Sequence, residues 1–199
     1  MTKALVLASA SPIRRTLLGN AGLAVTVDPA AIDEGQVKQD MRSHGAAVET
    51  VAIELAAGKA KAVAARHPDA LIIGADQILD AGGGEWFDKP PDRAAAARQL
   101  AALAGRSHQL VSAVAVVESG QEVWRVADAV TLHMRPLTPE FIASYLDRAG
   151  SAALGSVGAY QLEGLGAQLF TRIEGDYFTV LGLPLLPLLA FLRQRGIIA

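Results

Sequence analysis

The 199-residue sequence has no cysteine. That absence removes disulfides, thiolate zinc centres and thiol nucleophiles together. It is compatible with a reducing compartment. Aromatic residues make up only 5%, which leaves few platforms for stacking unpaired bases. Charge is also scarce: 18 Lys and Arg stand against 20 Asp and Glu, for a formal net charge of −2. A protein that coats nucleic acid usually carries a strong basic excess, so no nucleic-acid partner is expected. No apolar run reaches the roughly 20 residues that span a bilayer. The strongest, over 181–192, is interrupted by Pro184 and Pro187 and reads as a buried terminal helix. Residues 1–10 carry one lysine and a short apolar stretch ending in a Ser-rich turn, which does not make a secretory signal. The expectation is a cytoplasmic protein with no membrane partner.

What is present is mostly apolar, at 51% hydrophobic residues, enough to build a real core in one domain over 1–199. Residues 4–8 and 71–75 are short apolar runs without alternation, as in strands buried on both faces. Ser11 and Pro12 suit the start of a helix reaching 19 or 20, with Leu17 and Leu18 inward. A second strand is predicted over 23–27. Residues 29–45 are polar and poorly periodic and read as a long loop with some helical turns. An alanine-rich helix is predicted over about 46–66. Asp76 then falls at the C-terminal end of the 71–75 strand, and Gly82-Gly83-Gly84 reads as a hairpin tip. Further helices are predicted over about 92–103, 138–149 and 184–195. A long β-hairpin is predicted over 108–117 and 123–132. Residues 151–166 are glycine-rich and irregular, and 167–173 and 178–181 read as strands. Strands alternating with helices, plus one hairpin, give an α/β fold with a mixed sheet.

The few polar groups cluster after buried strands, where α/β sheets usually bind ligands. Ser9-Ala10-Ser11-Pro12-Ile13-Arg14-Arg15 places hydroxyls and guanidiniums beside a helix N-terminus, a plausible phosphate cradle. An ordinary cap followed by two solvated arginines reads the same residues. Asp76 occupies a common position for a general base or metal ligand, and equally for a helix cap. Asp33 and Glu34 could ligate Mg²⁺ beside a phosphate, although such pairs are more often solvated. Lys59 sits in an alanine-rich helix, so its stem can cross apolar surface while its ammonium reaches a cleft. Lys89 lies in a loop. The four histidines show no metal-binding spacing, and no Ser nucleophile elbow is present.

Taken in order, these segments resemble the Maf family of nucleoside triphosphate pyrophosphatases, once described as septum-formation inhibitors. The likeness runs through Leu7–Arg15, Ile32-Asp33-Glu34, Lys59-Ala60, Ile73-Gly74-Ala75-Asp76-Gln77 and Lys89-Pro90. It continues through Gly105-Arg106-Ser107-His108, Gly158-Ala159-Tyr160, Glu163-Gly164, Ile173–Tyr177 and Gly182-Leu183-Pro184-Leu185. The resemblance implies a mixed, twisted sheet flanked by helices, with two lobes around a cleft, like that of inosine-triphosphate pyrophosphatases. It implies hydrolysis of nucleoside triphosphates to monophosphate and pyrophosphate with a divalent cation, Mg²⁺ or Mn²⁺. Asp76 matches the general base, and Glu34 and Asp76 match the metal-holding acids. Ser9, Arg14, Lys59 and Lys89 match phosphate-binding positions, with Arg15 as an additional contact. Ile13, Gln77 and Glu163 match three positions tied to base selectivity. Gln77 and Glu163 agree with the branch resembling 7-methyl-GTP enzymes, while Ile13 departs from it. An aliphatic side chain cannot stack on a cationic purine as an indole can. The Gly158-Ala159-Tyr160 segment is closer to the branch acting on dTTP and UTP. A homodimer is one assembly the resemblance leaves open. Two alternatives stay open on the sequence: a nucleotide-sensing regulatory protein acting in cell-division arrest, and an acid-type phosphatase releasing orthophosphate.

Overall fold

A computed structural model describes residues 3–199. Met1 and Thr2, where the expected 1–199 domain and the N-terminal stretch begin, lie outside the described residues. Seven strands form one mixed sheet in the order β2-β1-β3-β5-β6-β7, with β4 paired to β3 off that path. The strands are β1 (Leu5–Leu7), β2 (Val25–Val27), β3 (Leu71–Gly82), β4 (Glu85–Phe87), β5 (Ser107–Glu118), β6 (Gln121–Met134) and β7 (Phe170–Glu174). β1 pairs parallel with both β2 and β3, whereas β3 with β4 and β6 with β7 run antiparallel. The mixed α/β sheet flanked by helices matches the sequence reading.

The chain divides into two compact units. The first comprises Met1–Gln77, Val111–Asp128 and Tyr177–Ala199; the second comprises Ile78–Leu110 and Ala129–Asp176. In the first unit, side chains alternate across β1 and β3 as the pleat requires. Leu5, Leu7, Ile73 and Ala75 pack with Leu17 and Leu18 of α1 (Pro12–Asn20) and with Leu188 and Leu192 of α7 (Leu185–Gln194). Val6, Ala8 and Ile72 face the opposite side, against Ala60 and Val63 of α3 (Val48–Ala64). Gly74 lies on this second face. A Cβ there would stand 2.0 Å from the Ala56 carbonyl oxygen and 2.9 Å from the Ala60 nitrogen. The bare glycine therefore lets α3 rest directly on β3.

The second unit contains β4, α4 (Arg93–Leu103), α5 (Pro139–Ala149) and β7. Asp92 caps α4 by accepting from Ala95 N, and Thr138 caps α5 by accepting from Phe141 N. The glycine-rich stretch after α5 forms three short 3-10 turns. His108, buried, shares a 2.7 Å hydrogen bond with the Tyr160 hydroxyl. Burial holds the His108 pKa down at about 4, and it pushes Tyr160 well up. Ala159 takes a left-handed φ of 62°, with its carbonyl accepting from the Tyr145 hydroxyl at 3.1 Å.

Several predicted elements differ. Residues 29–45 are not mainly loop: α2 spans Glu34–Ser43. No α2 residue is buried, so no apolar period marks it, and local bonds support it instead. Asp33 accepts from Gln36 N at 2.9 Å, and Gln36 donates to Asp40 at 2.7 Å. Asp76 does not end a strand, because β3 continues to Gly82. The second strand is the shorter β2. Residues 165–169 form a 3-10 turn before β7 rather than part of a strand. The run over 178–181 is no strand either. It lies mostly in a helical turn, α6 (Tyr177–Val180), too short for its β-branched residues to decide the conformation. Among the described residues, no helix is long and apolar enough to cross a membrane.

Candidate functional site

The first unit gathers five of the predicted residues. Ser9 follows β1 and Arg14 lies in the first turn of α1. Lys59 comes from the middle of α3, Glu34 opens α2, and Asp76 lies within β3. Ser9, Arg14, Lys59 and Asp76 are all buried. The close approach at Gly74 explains the central contact. Asp76 is two residues further along the same face of β3, and Lys59 is one residue before Ala60 on α3. Lys59 Nζ consequently donates to Asp76 Oδ1 at 2.6 Å and lies 2.8 Å from Glu34 Oε1. One ammonium thus joins two carboxylates, one buried and one half-exposed. Asp76 Oδ2 is buried and has no hydrogen-bond partner among the described residues. Such an atom is costly unless a ligand completes it.

Arg14 is fixed by three acceptors. Its Nε donates to Gly182 O at 2.8 Å, and Nη1 donates to Ala75 O at 2.8 Å and Ser9 Oγ at 3.0 Å. Burial lowers its pKa, and the charges of Asp76 and Glu34 oppose that fall. The guanidinium remains charged because its ordinary value is so high. Ser9 Oγ also accepts from Ser11 N at 3.3 Å. Ser11 occupies the N-cap position of α1, but its side chain makes no capping bond. A helix N-terminus carries partial positive charge that favours anions.

Gln77 faces the other side of β3 from Asp76. Its Nε2 donates to Ser112 Oγ at 3.0 Å, to Val180 O at 3.0 Å and to Thr179 O at 3.2 Å. Ser112 donates to Thr179 O at 2.8 Å. These bonds fix which end of the Gln77 amide is the oxygen. Gly182, with φ of +89°, lies beside both Arg14 and Gln77, and a Cβ there would stand 3.4 Å from the Arg14 guanidinium. Ser112 and Thr179 escaped the sequence reading, and Gly74 and Gly182 fell within family-like segments without a role being given to them. Ser112 left one signal, a lone hydroxyl within the apolar run 110–117.

The remaining predicted residues are placed differently. Ile13 is half-buried and packs on the core beside α1. Arg15 is exposed. Lys89 and Glu163 belong to the second unit, where both are exposed. Asp33 caps α2, so Glu34 alone of that pair meets Lys59. Among the described residues, no three His, Asp or Glu side chains gather as a metal cage. Glu34 and Asp76 still fit a hard cation that takes its other ligands from phosphate and water, as Mg²⁺ usually does. A groove of about 640 Å³ in the second unit is lined by Ala94, Ala97, Leu137 and Ile142 among others, and by none of the predicted residues.

The model for Maf-like proteins matches residues 4–195. A 7-methyl-GTP pyrophosphatase of Rhizobium etli is 52% identical over 198 residues, spanning 100% of this chain and 99% of the relative. A nucleoside triphosphate pyrophosphatase of Paramagnetospirillum magneticum is 53% identical over 191 residues, spanning 96% and 98%. A solved nucleoside-triphosphatase / dITP/XTP pyrophosphatase of Mycobacterium abscessus is 19% identical, with a TM-score of 0.49 over 96% of this chain and 97% of that one. At that score the likeness adds nothing to the strand order itself.

Proposed function

The chain belongs to the Maf-like protein family, and from that membership we propose that it hydrolyses nucleoside triphosphates to a nucleoside monophosphate and pyrophosphate. The observation that carries this reading is the buried Asp76 Oδ2, left without a partner among the described residues beside two buried cations. A protein that bound only the bare polyanion would have little use for a free carboxylate oxygen beside it. A hydrolase needs one to accept a proton.

In the proposed reaction a water oxygen attacks the α-phosphorus and its proton passes to Asp76 Oδ2. The α–β bridging oxygen leaves with pyrophosphate. In the free chain Lys59 is bonded to Oδ1, so Oδ2 is the oxygen left open for that proton. Arg14 is stiffened by its three acceptors, and its Nη2, which bonds no described residue, is available to a phosphate oxygen. A donor held in place before the reaction needs no reorganisation as charge develops. Glu34 and Asp76 would hold a divalent cation, which when bound supplies positive charge against the phosphate oxygens. Oxygen donors suit Mg²⁺ or Mn²⁺. For Lys89 as a phosphate contact, and for Ile13 and Glu163 in base selection, the family resemblance is the support.

Gln77 has its amide nitrogen fully engaged, so its oxygen is the atom offered to a base. Guanine and uracil both present ring N–H donors to such an acceptor. The name carried by the Rhizobium etli relative makes 7-methyl-GTP the first substrate to test. The test is a panel of 7-methyl-GTP, GTP, UTP, dTTP, CTP, 5-methyl-UTP and pseudouridine triphosphate with Mg²⁺ or Mn²⁺. Pyrophosphate release supports the proposal. Orthophosphate alone would identify a phosphatase, and binding without turnover would identify a sensor.

A further inference from the structure

We propose that Lys59 is a resident cation for the Glu34–Asp76 pair, so that a divalent cation binds this chain weakly alone and tightly together with a triphosphate. The inference rests on the reading above in one respect, that these carboxylates meet a metal–triphosphate complex.

Glu34 and Asp76 contribute two negative charges, and Lys59 and Arg14 contribute two positive ones. The cluster is therefore neutral as it stands. The Lys59 ammonium contacts both carboxylates, at 2.6 and 2.8 Å, where a bridging cation would otherwise sit. A divalent cation entering alone must displace that ammonium or share the acids with it. Displacement would leave a lysine charge stranded among Ala56, Ala60 and Val63, which are fully buried on the same helix. Sharing would place like charges in contact where solvent screens them little.

A triphosphate changes both alternatives. Its oxygens offer the ammonium a second partner, and the flexible four-carbon stem of Lys59 lets Nζ pivot toward them. The carboxylates are released to the metal in the same movement. Glu34 can follow, because its side chain is 44% exposed on the first turn of α2. Metal and triphosphate should therefore each strengthen the other's binding by the same factor. Lys59 is in this sense a positioning residue for the metal, besides any contact it makes with substrate.

The experiment measures Mn²⁺ binding without nucleotide, by the loss of the free-ion paramagnetic resonance signal. It uses the wild-type chain, Lys59→Met and Lys59→Gln, with circular dichroism to verify the fold. Both variants should bind Mn²⁺ alone about tenfold tighter or more, because the competing charge is gone. Equal or weaker binding by folded variants overturns the proposal. The wild-type chain gives a second reading that needs no variant. Its melting temperature should scarcely move with Mn²⁺ alone or with inorganic triphosphate alone, and should rise with both. A rise with Mn²⁺ alone as large as with both overturns the proposal. These readings contain no turnover, so a chain that releases no pyrophosphate would refute the proposed reaction while leaving the coupling intact.

Discussion

Replacing Gly74 with Ala adds one methyl group, yet it should damage both stability and catalysis. The new Cβ would lie 2.0 Å from Ala56 O and 2.9 Å from Ala60 N, both backbone atoms of α3. No rotamer can relieve a clash between a Cβ and backbone, so the helix must retreat from the strand by roughly 1 Å or more. Overpacking of this kind costs about 3 kcal/mol. Lys59 rides on the displaced helix while Asp76 stays on the strand, so their 2.6 Å contact must lengthen. A misplacement of about 1 Å in a reacting constellation costs on the order of 100-fold in rate. Gly58 supplies the control, because it lies in the same helix and its Cβ would meet only Ile32 Cδ1, at 3.7 Å. Gly58→Ala should stabilise the chain by about 0.5–1 kcal/mol through the higher helix propensity of alanine. Urea denaturation and pyrophosphate release, measured on both variants, decide the matter. If Gly74→Ala matches Gly58→Ala in both assays, the close approach does not position Lys59.

Asp76→Asn removes the proposed proton acceptor while conserving shape, so pyrophosphate release should fall by about 10²–10⁴-fold with the circular dichroism spectrum retained. An unaffected rate would sink the assignment of the base. His108 supplies a pH dependence. Burial, aided by the charge of His133, lowers its pKa from 6.5 to about 4. The unfolded chain takes up that proton below about pH 6.5 and the folded chain only below about pH 4. Stability should therefore fall as pH drops through that window, by about 3 kcal/mol in all, and level off beneath it. In His108→Gln this part of the slope should vanish from urea midpoints taken between about pH 7 and about pH 4; an unchanged slope would clear His108. Gln77→Glu would set a carboxylate against the Thr179 and Val180 carbonyls in place of the amide donor. The expected loss is about 2–3 kcal/mol, read from the same urea denaturation, and a variant as stable as wild type would contradict the bonding described for Gln77.

Elements with a buried face were readable in the sequence. β1, α1, α3 and the β5–β6 hairpin follow from apolar spacing. α5 follows from Thr138 and Pro139 at its start and Gly150, with φ of 58°, at its end. α2 was not readable as a helix because it buries nothing and depends on Asp33 and Gln36. β3 looked shorter than it is because Asp76 and Gln77 interrupt its apolar run. Their partners, Lys59 on one face and Ser112 on the other, are distant in sequence, so nothing local shows that these polar side chains are accommodated. The site divides in the same way. Ser9, Arg14, Lys59 and Asp76 carry charge or hydroxyls on or beside recognisable elements and could be named; Glu34 was named as one of an acidic pair in a stretch read as loop. The contributions of Gly74 and Gly182 exist only once another backbone or side chain lies against them.

Asp76 and Gln77 are neighbours in sequence but look out from opposite faces of one strand. Substitutions at position 77 and its partners can explore new ligands without rewriting the residues that touch Asp76. Under the proposed roles of the two residues, a lineage can thus change what it recognises while preserving how it cuts. The arrangement tolerates exchange and forbids slippage. Gain or loss of a single codon between Ile73 and Asp76 would turn the acid toward Ser112 and the amide toward Lys59, so descendants of this chain should vary by replacement in that stretch and not by length.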